Sequence, residues 1–369
     1  MPHHVLITGG AGFIGCHVSR ALLARGHRVR VLDCLVQQVH AGRAADPALR
    51  DVDLLVGDVR NPQQVRRALQ GVDAVIHLAA EVGVGQSMYE IDRYVATNDQ
   101  GTAVLLQALL DHPVRRVVVA SSMSIYGEGL YRTADGRLVE DASRGPRTGT
   151  ESWDPVDTDG RPLIPVPTPE TKRPSLASVY AISKFVQERL VLTVTQAYGM
   201  QGIALRLFNV YGPGQALSNP YTGVLAIFAS ALLNGRAPGV FEDGAQRRDF
   251  VHVDDVADAF ILALETDTVD SGVFNIGSGI SISVREIAER LAAAMGQRDL
   301  PPTLLGKARA GDIRHCFADI ELARRTLGFS PQRTLDDGMQ ALVEWVRRQR
   351  AIDRMAEARR ELEERGLVA

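Results

Sequence analysis

Over the first third of the chain, runs of aliphatic and β-branched residues alternate with stretches whose apolar positions recur every three or four residues. "HVLIT", "HRVRVLD", "DLLVGD", "DAVIHLAA" and "RRVVVASS" are of the first kind. "GCHVSRALLARG", "PQQVRRALQ" and a longer stretch around residues 95–111 are of the second. An unbroken apolar run suits a strand buried on both faces, and a 3.6-residue repeat suits a helix with one apolar stripe. Their regular alternation predicts an α/β protein: a doubly wound parallel sheet with crossover helices on both faces.

Between Tyr126 and Ser178 this pattern stops, and Pro, Gly, Thr, Asp and Arg dominate. "TADGRLV" and "DTDGRPL" each place a DG turn between apolar residues, the signal of a small hairpin. A connection this long is either an ordered lid at a functional site or a surface excursion. Helical periodicity returns in "SVYAISKFVQERLVLTVTQAYG", followed by the strand "IALRLFNVYG" and a mixture of short strands, loops and helices. The expected organisation is a larger domain over 1–208 plus about 250–275, interrupted by an insertion at 127–177. A smaller mixed α/β lobe takes about 209–249 plus 276–345, and a charged helical tail takes 346–369. In the tail, Ile352, Met355, Arg359 and Leu362 fall near one face, while Arg and Glu alternate and nearly cancel. That balance argues for a solvated or dimer-packing helix rather than a nucleic-acid arm.

Composition narrows the partners. With 45% hydrophobic and 23% charged residues the 369-residue chain has the make-up of a soluble globular protein and offers no membrane span. The formal net charge of −3 gives a nucleic-acid partner no electrostatic support. Cys16, Cys34 and Cys316 are scattered without metal-ligand spacing, as expected of free thiols in a reducing compartment, and no metal site is expected. The opening "MPHHVLITGG" starts a strand at once, without the basic and apolar regions of a signal peptide, so the expectation is a cytoplasmic protein with a small-molecule partner.

The first candidate chemistry lies in "LITGGAGFIG". Gly9, Gly12 and Gly15, with Phe13 and Ile14 between them, stand where a strand gives way to a helix. Glycines there permit a tight turn and let the backbone approach a pyrophosphate at the helix N-terminus. This makes the sheet Rossmann-type. Asp33 ends the second strand, where a carboxylate accepts hydrogen bonds from ribose hydroxyls and repels a 2′-phosphate, favouring NAD over NADP; the bland alternative is a carboxylate that caps the next segment. Asp58 and Val59, after the third strand, are placed to meet the adenine.

"YAISK" puts Tyr180 and Lys184 on one helical face. A phenol of pKa about 10 becomes a useful base only if a neighbouring ammonium and a cationic cofactor favour the phenolate. Joined with the glycine turn, Asp33, "HLAA" at 77–80, Asn98 in "TNDQGT" and the serines of "VVVASSMSIYG", the pair carries a resemblance. From about Val5 to Trp345 the chain resembles the extended short-chain dehydrogenase/reductases, in particular the nucleotide-sugar epimerases and dehydratases. The resemblance implies an NAD enzyme in which Tyr180 is the base, Lys184 binds the nicotinamide ribose, and Ser122 hydrogen-bonds the reacting oxygen. It implies cofactor contacts from Leu78, Ala79, Ala80, Asn98 and Ser121, and a substrate diphosphate held by Asn209, Arg248, Arg309 and Asp312. Without that role the arginines would be ordinary surface ion-pair partners.

Dehydratases of this family carry an Asp-Glu pair after the serine, needed as acid and base to eliminate water. Here Met123 and Ser124 stand there, as substrate contacts without a carboxyl, so the expectation is a 4-epimerase working through a transient 4-keto sugar. Within the family, "SSMSIYGEGLYR", the insertion and "NVYGPGQALSNPYTGVLAIFASALLNGR" are most similar to 4-epimerases of dTDP-L-rhamnose, and Val82 replaces a lysine of UDP-glucose 4-epimerases. A dTDP-sugar is therefore favoured and a UDP-sugar possible. The competing readings are a net nucleotide-sugar oxidoreductase and a non-catalytic NAD-binding scaffold. The helices at 95–111 and 179–198 match those through which relatives form homodimers.

Overall fold

In a computed structural model, which describes residues 2–40, 46–144, 152–221, 223–350 and 353–368, the apolar runs pair into one seven-stranded parallel sheet. Its strands are β1 (His4–Thr8), β2 (Arg28–Asp33), β3 (Asp53–Val56), β4 (Ala74–His77), β5 (Arg116–Ser122), β6 (Gln201–Leu207) and β7 (Ser271–Ile276), in the spatial order β7-β6-β5-β4-β1-β2-β3. Register follows the pleat: Val5 stands beside Val29 and Ala74, and Val118 beside Ile76 and Ile203.

Every residue of β5 is buried, because successive side chains enter opposite cores. Val118 and Ala120 join Val5 and Ile7 against α1 (Phe13–Ala24) and the later helix Val253–Glu265. Val117 and Val119 join Leu6 against α2 (Pro62–Ala68), α3 (Gly101–Asp111) and α4 (Val179–Ala197). Fully burying each such side chain stabilises the fold by about 1.5–3 kcal/mol. Arg116, at the first position of β5, is fully buried and yet satisfied: it donates to Gln201 Oε1 and to the carbonyls of Ala263, Leu264, Thr266 and Val269. A guanidinium there neutralises the carbonyls left open at a helix C-terminus.

The expected continuous helix over 95–111 is interrupted. Val95–Gln100 forms a wider π-helical turn before α3, at the point where Gly101 meets Val59 so closely that an added Cβ would lie 2.6 Å from its Cγ1. Beyond β6, α5 (Val224–Leu233), α6 (Val253–Glu265), α7 (Val284–Ala294) and α8 (Leu335–Val346) follow. α5, α7 and α8 enclose a separate core around Phe250, Ile282 and Leu342.

The insertion is ordered across its described residues. Leu130–Arg132 pairs antiparallel with both Leu138–Val139 and Ile164–Val166, and both DG stretches turn as hairpins, closed by Gly136 N to Thr133 O and Asp157 N to Arg161 O. A buried ionic network fastens this sheet to the later chain. Arg314, 1% exposed, donates to Asp154 Oδ1 (2.6 Å), Glu242 Oε2 (2.8 Å) and Asp243 Oδ1 (2.6 Å), while Arg144 pairs with Glu128 and Glu242. Glu128 also accepts from Arg314 N.

The tail departs from expectation. Its helix, α9 (Met355–Glu364), begins only at Met355, and Ile352 lies outside the described residues. Ala358 and Leu362 are buried, so this face is covered by the same chain rather than by water. No described helix is long and apolar enough to cross a membrane.

Candidate active site

The strand order reverses between β1 and β4, and the loops leaving their carboxyl ends diverge there to leave a crevice, the usual ligand position in such sheets. A cavity of about 600 Å³ begins in that crevice. Gly9 sits at φ 69°, with an added Cβ only 2.7 Å from Ala79 N, and a Cβ on Gly15 would lie 2.5 Å from Gly10 Cα. The turn therefore admits only glycine at both places, and it lowers the start of α1 onto the sheet. Gly12 caps that helix with no side-chain hydrogen bond, leaving its first-turn N–H groups to face a ligand.

Gly12, Phe13, Ile14, Asp58, Val59, Leu78, Ala79 and Ala80 all line the cavity. Asp33 lines it too, while also accepting from Ala11 N (3.0 Å) and Leu35 N (2.8 Å), so the capping and ligand-facing alternatives coexist in one carboxylate. The hydrogen bond from Arg60 holds the Asp58 carboxyl below its usual range.

Two residues expected to contact the cofactor have their side chains engaged within the protein. Asn98 is fully buried outside the cavity lining; its amide donates to Glu81 O (3.1 Å) and Ser183 Oγ (2.9 Å) and accepts from Glu81 N (2.7 Å). It positions the loop after β4 against α4. Ser121 borders the cavity, but its hydroxyl is committed to Glu188 Oε2 (2.7 Å), which with Glu188 Oε1 takes a two-pronged ion pair from buried Arg206.

At the end of β5, Ser122 Oγ lies 2.7 Å from Ser124 Oγ, and Met123 and Ser124 form a tight helical turn along the cavity wall. Opposite, Ser178 caps α4, and Tyr180 N donates to Ser87 Oγ (3.0 Å). Burial pushes the Tyr180 phenol up, opposed by the Ser122 hydroxyl. Burial pushes Lys184 down to about 7, with Glu188 opposing, and its ammonium donates to Gln187 Oε1 (2.8 Å). Burial thus opposes the phenolate of Tyr180, and cationic charge beside it is what would favour that form.

Gln187 was not singled out in the sequence, although it lies three residues beyond Lys184 and seven beyond Tyr180, on the same helical face. Its amide donates to Thr102 Oγ1 (2.9 Å) and Ala79 O (3.3 Å), and Thr102 in turn meets His77. Burial pushes His77 down to about 3, so a neutral ring completes this chain to Thr8 Oγ1 (2.7 Å).

The far side of the cavity carries Asn209, Arg248, Arg309 and Asp312 together. Arg248 donates to the carbonyls of Arg247, Ile313 and Arg314. Arg309 lies 4.5 Å over the Phe241 ring and pairs with Asp312 Oδ2 (3.1 Å). Burial opposes ionisation of Asp312, but Arg309 and Arg248 hold its carboxyl below the usual range. Asn209 Oδ1 is buried with no hydrogen-bond partner among the described residues, the mark of a polar ligand's place. Met355, Ala358, Arg359 and Leu362 of α9 complete the wall; three of them lie on the face legible in the sequence, whose alternating charges had suggested a solvated or dimer-packing helix instead.

A model of the NAD dependent epimerase/dehydratase family matches residues 5–277. The chain belongs to that family. Among its relatives, a dTDP-L-rhamnose 4-epimerase of Burkholderia thailandensis is 37% identical, across 93% of this chain and 94% of that one. A UDP-glucose 4-epimerase of Thermotoga maritima, solved with UDP-glucose, superposes with a TM-score of 0.76 at 30% identity, covering 93% and 98% of the two chains. The UDP-glucose 4-epimerase of Thermus thermophilus, solved with NAD, gives 0.74 at 30% identity, covering 94% and 100%.

NAD is the cofactor of this epimerase/dehydratase enzyme. The residues present fit it: a glycine turn that brings the start of α1 against the sheet, an uncapped helix start, and carboxylates at Asp33 and Asp58 in the cavity wall. Among the described residues, Asp33 has no basic partner for a 2′-phosphate beyond His40, 3.7 Å away.

Proposed function

We propose that the chain is a nucleotide-sugar 4-epimerase that interconverts dTDP-L-rhamnose and dTDP-6-deoxy-L-talose. The observation that carries the reaction type is the sequence Ser122-Met123-Ser124 lining the cavity with Tyr180 and Lys184, and no carboxyl in the two positions after Ser122. When bound, NAD⁺ supplies a reversible acceptor for the C4 hydride. Tyr180 Oη takes the proton of the C4 hydroxyl and later returns it. Ser122 Oγ donates a hydrogen bond to the same oxygen as it becomes a carbonyl and draws negative charge. Lys184 holds the cofactor ribose and, once charged, favours the phenolate of Tyr180. Asn209, Arg248 and Arg309 grip the diphosphate while the 4-keto sugar turns over between the two half-reactions. Met123 and Ser124 cannot relay a proton between C5 and C6, so the keto sugar is not dehydrated.

The dTDP-L-rhamnose assignment is supported by the 37% identity to the relative bearing that name and by Val82 in the cavity wall. UDP-glucose and UDP-N-acetylglucosamine are the alternative substrates, favoured by the likeness to the solved UDP-glucose 4-epimerases. Incubation with each nucleotide sugar, followed by anion-exchange separation and NMR of the product, tests the reading. The expected result is a C4 epimer of dTDP-L-rhamnose with no accumulation of reduced nicotinamide. Turnover of the UDP-sugars alone overturns the substrate, and sustained NADH release overturns the reaction type. We infer a homodimer through the 95–111 segment and α4, supported by exposed Val95 and Ile182 there; light scattering on the eluting protein checks it.

A further inference from the structure

The C-terminal helix has no part in the reaction just derived, yet one of its faces belongs to the cavity. Met355, Ala358, Arg359 and Leu362 recur at helical spacing, and all four line it. Leu362 lies over Gly85, with its methyl groups 3.5 Å from where a Cβ would stand. The covering element is held by specific bonds. Glu361 Oε2 accepts from both Tyr89 Oη (3.1 Å) and Tyr221 Oη (3.0 Å), Arg365 lies 4.3 Å over the Tyr89 ring, and Lys307 pairs with Glu363 at 2.8 Å.

These contacts place the helix over the reacting end of the cavity rather than the end of Asp33 and Asp58. Segment 83–89, beneath it, supplies the Ser87 hydroxyl that receives Tyr180 N. Past the helix, Ala310 N donates to Leu367 O (2.8 Å) and Arg309 bridges to Val368, so the tail is bonded to the loop that carries Arg309 and Asp312.

Arg359 is the unexplained group of this wall. Its side chain is 42% exposed and pairs with Glu363 at 3.8 Å, but the Nε atom itself is buried and has no hydrogen-bond partner among the described residues. A buried Nε–H without a close acceptor is a donor left for a ligand oxygen at the cavity wall.

Resting on the reading of this cavity as a nucleotide-sugar site, we infer that α9 is a strap closed over the bound substrate, and that Arg359 supplies a contact to the substrate's diphosphate. The strap is tied to the phosphate-side loop through Leu367 and Val368, so substrate binding and tail order are one event. Arg359 adds a charge-assisted donor to those of Arg248 and Arg309, and the apolar remainder of the face keeps water from the sugar.

The test uses the full chain loaded with NAD and titrated calorimetrically with dTDP and with UDP. Arg359→Ala is expected to weaken diphosphate binding roughly 10- to 100-fold while leaving NAD affinity unchanged, and Arg359→Lys is expected to recover part of the loss. In the parent chain, dTDP is expected to slow tryptic cleavage after Arg354, Arg359 and Arg360 at least about tenfold. Unchanged dTDP affinity in Arg359→Ala, an equal loss of NAD affinity, or cleavage indifferent to dTDP overturns the inference alone. A parent chain that binds neither diphosphate overturns the reading of the cavity, and the strap with it.

Discussion

Lys184 offers a way to separate what the active site costs in stability from what it does. The side chain is 3% exposed, and burial brings its pKa from 10.5 to about 7. The unfolded chain therefore binds a proton that the folded chain lacks throughout the interval from about pH 7 to about 10.5. Stability must rise with pH across that interval, by about 1.4 kcal/mol per unit from this one group, and the slope vanishes below about pH 7, where both states are protonated. Between pH values about two units apart inside the interval, the contribution is roughly 3 kcal/mol. Lys184→Met keeps the volume and removes the titration. Urea unfolding of both NAD-free proteins at the two pH values, taken as a difference of differences, cancels every other group and any packing change common to both conditions. The parent is expected to gain roughly 2–3 kcal/mol more than the variant on going to the higher pH. An equal gain in the two proteins would show that the folded state carries a charged Lys184 in solvent-like surroundings, and would refute the account of a buried, poised amine.

Removing only the phenol oxygen, in Tyr180→Phe, is expected to lower kcat roughly 100- to 10,000-fold with dTDP binding retained by calorimetry, since the lost group handles a proton and not the diphosphate. Arg206→Met leaves Glu188, 1% exposed, with the Ser121 hydroxyl as its remaining side-chain partner; chemical unfolding is expected to show a loss of about 3–5 kcal/mol, much of it recovered by adding Glu188→Gln. In Gly15→Ala the new methyl meets backbone of Gly10 at 2.5 Å, which cannot swing aside, so fluorescence titration is expected to show NAD binding largely abolished.

How much of this was legible in the sequence depended on whether the controlling interaction was local. The strands were legible because an apolar run such as Val117–Ala120 has to be buried on both faces, and Gly9 and Gly15 because a backbone approach leaves no room for a side chain. Tyr180 and Lys184 were legible as same-face neighbours. The bonds of Asn98 were not legible because an amide reveals nothing of which way it points; its partners Glu81 and Ser183 lie 17 and 85 residues off. The hydrogen-bonded chain through Gln187 and His77 was invisible for the same reason. The tail misled more deeply. Alternating Arg and Glu describe a face that water could cover, and only tertiary contact shows that Arg359 borders the cavity while Glu361 is taken by two tyrosines.

The Arg314 network sets a timetable for synthesis. Asp154 and Glu128, which meet Arg314, precede it by 160 and 186 residues. At about 5–20 residues per second, the hairpins of the insertion wait on the order of 10–30 s on the ribosome before the guanidinium that anchors them exists. Glu242 joins Glu128 and Asp154 only 72 residues before Arg314, and until Arg314 follows, these three carboxylates have Arg144, among the described residues, as their arginine partner. The emergence of Arg314 changes that balance in a single step. The insertion is therefore the last part of the N-terminal half to settle, and nascent chains halted before residue 314 should be cut by protease at the insertion while the sheet beneath it already resists.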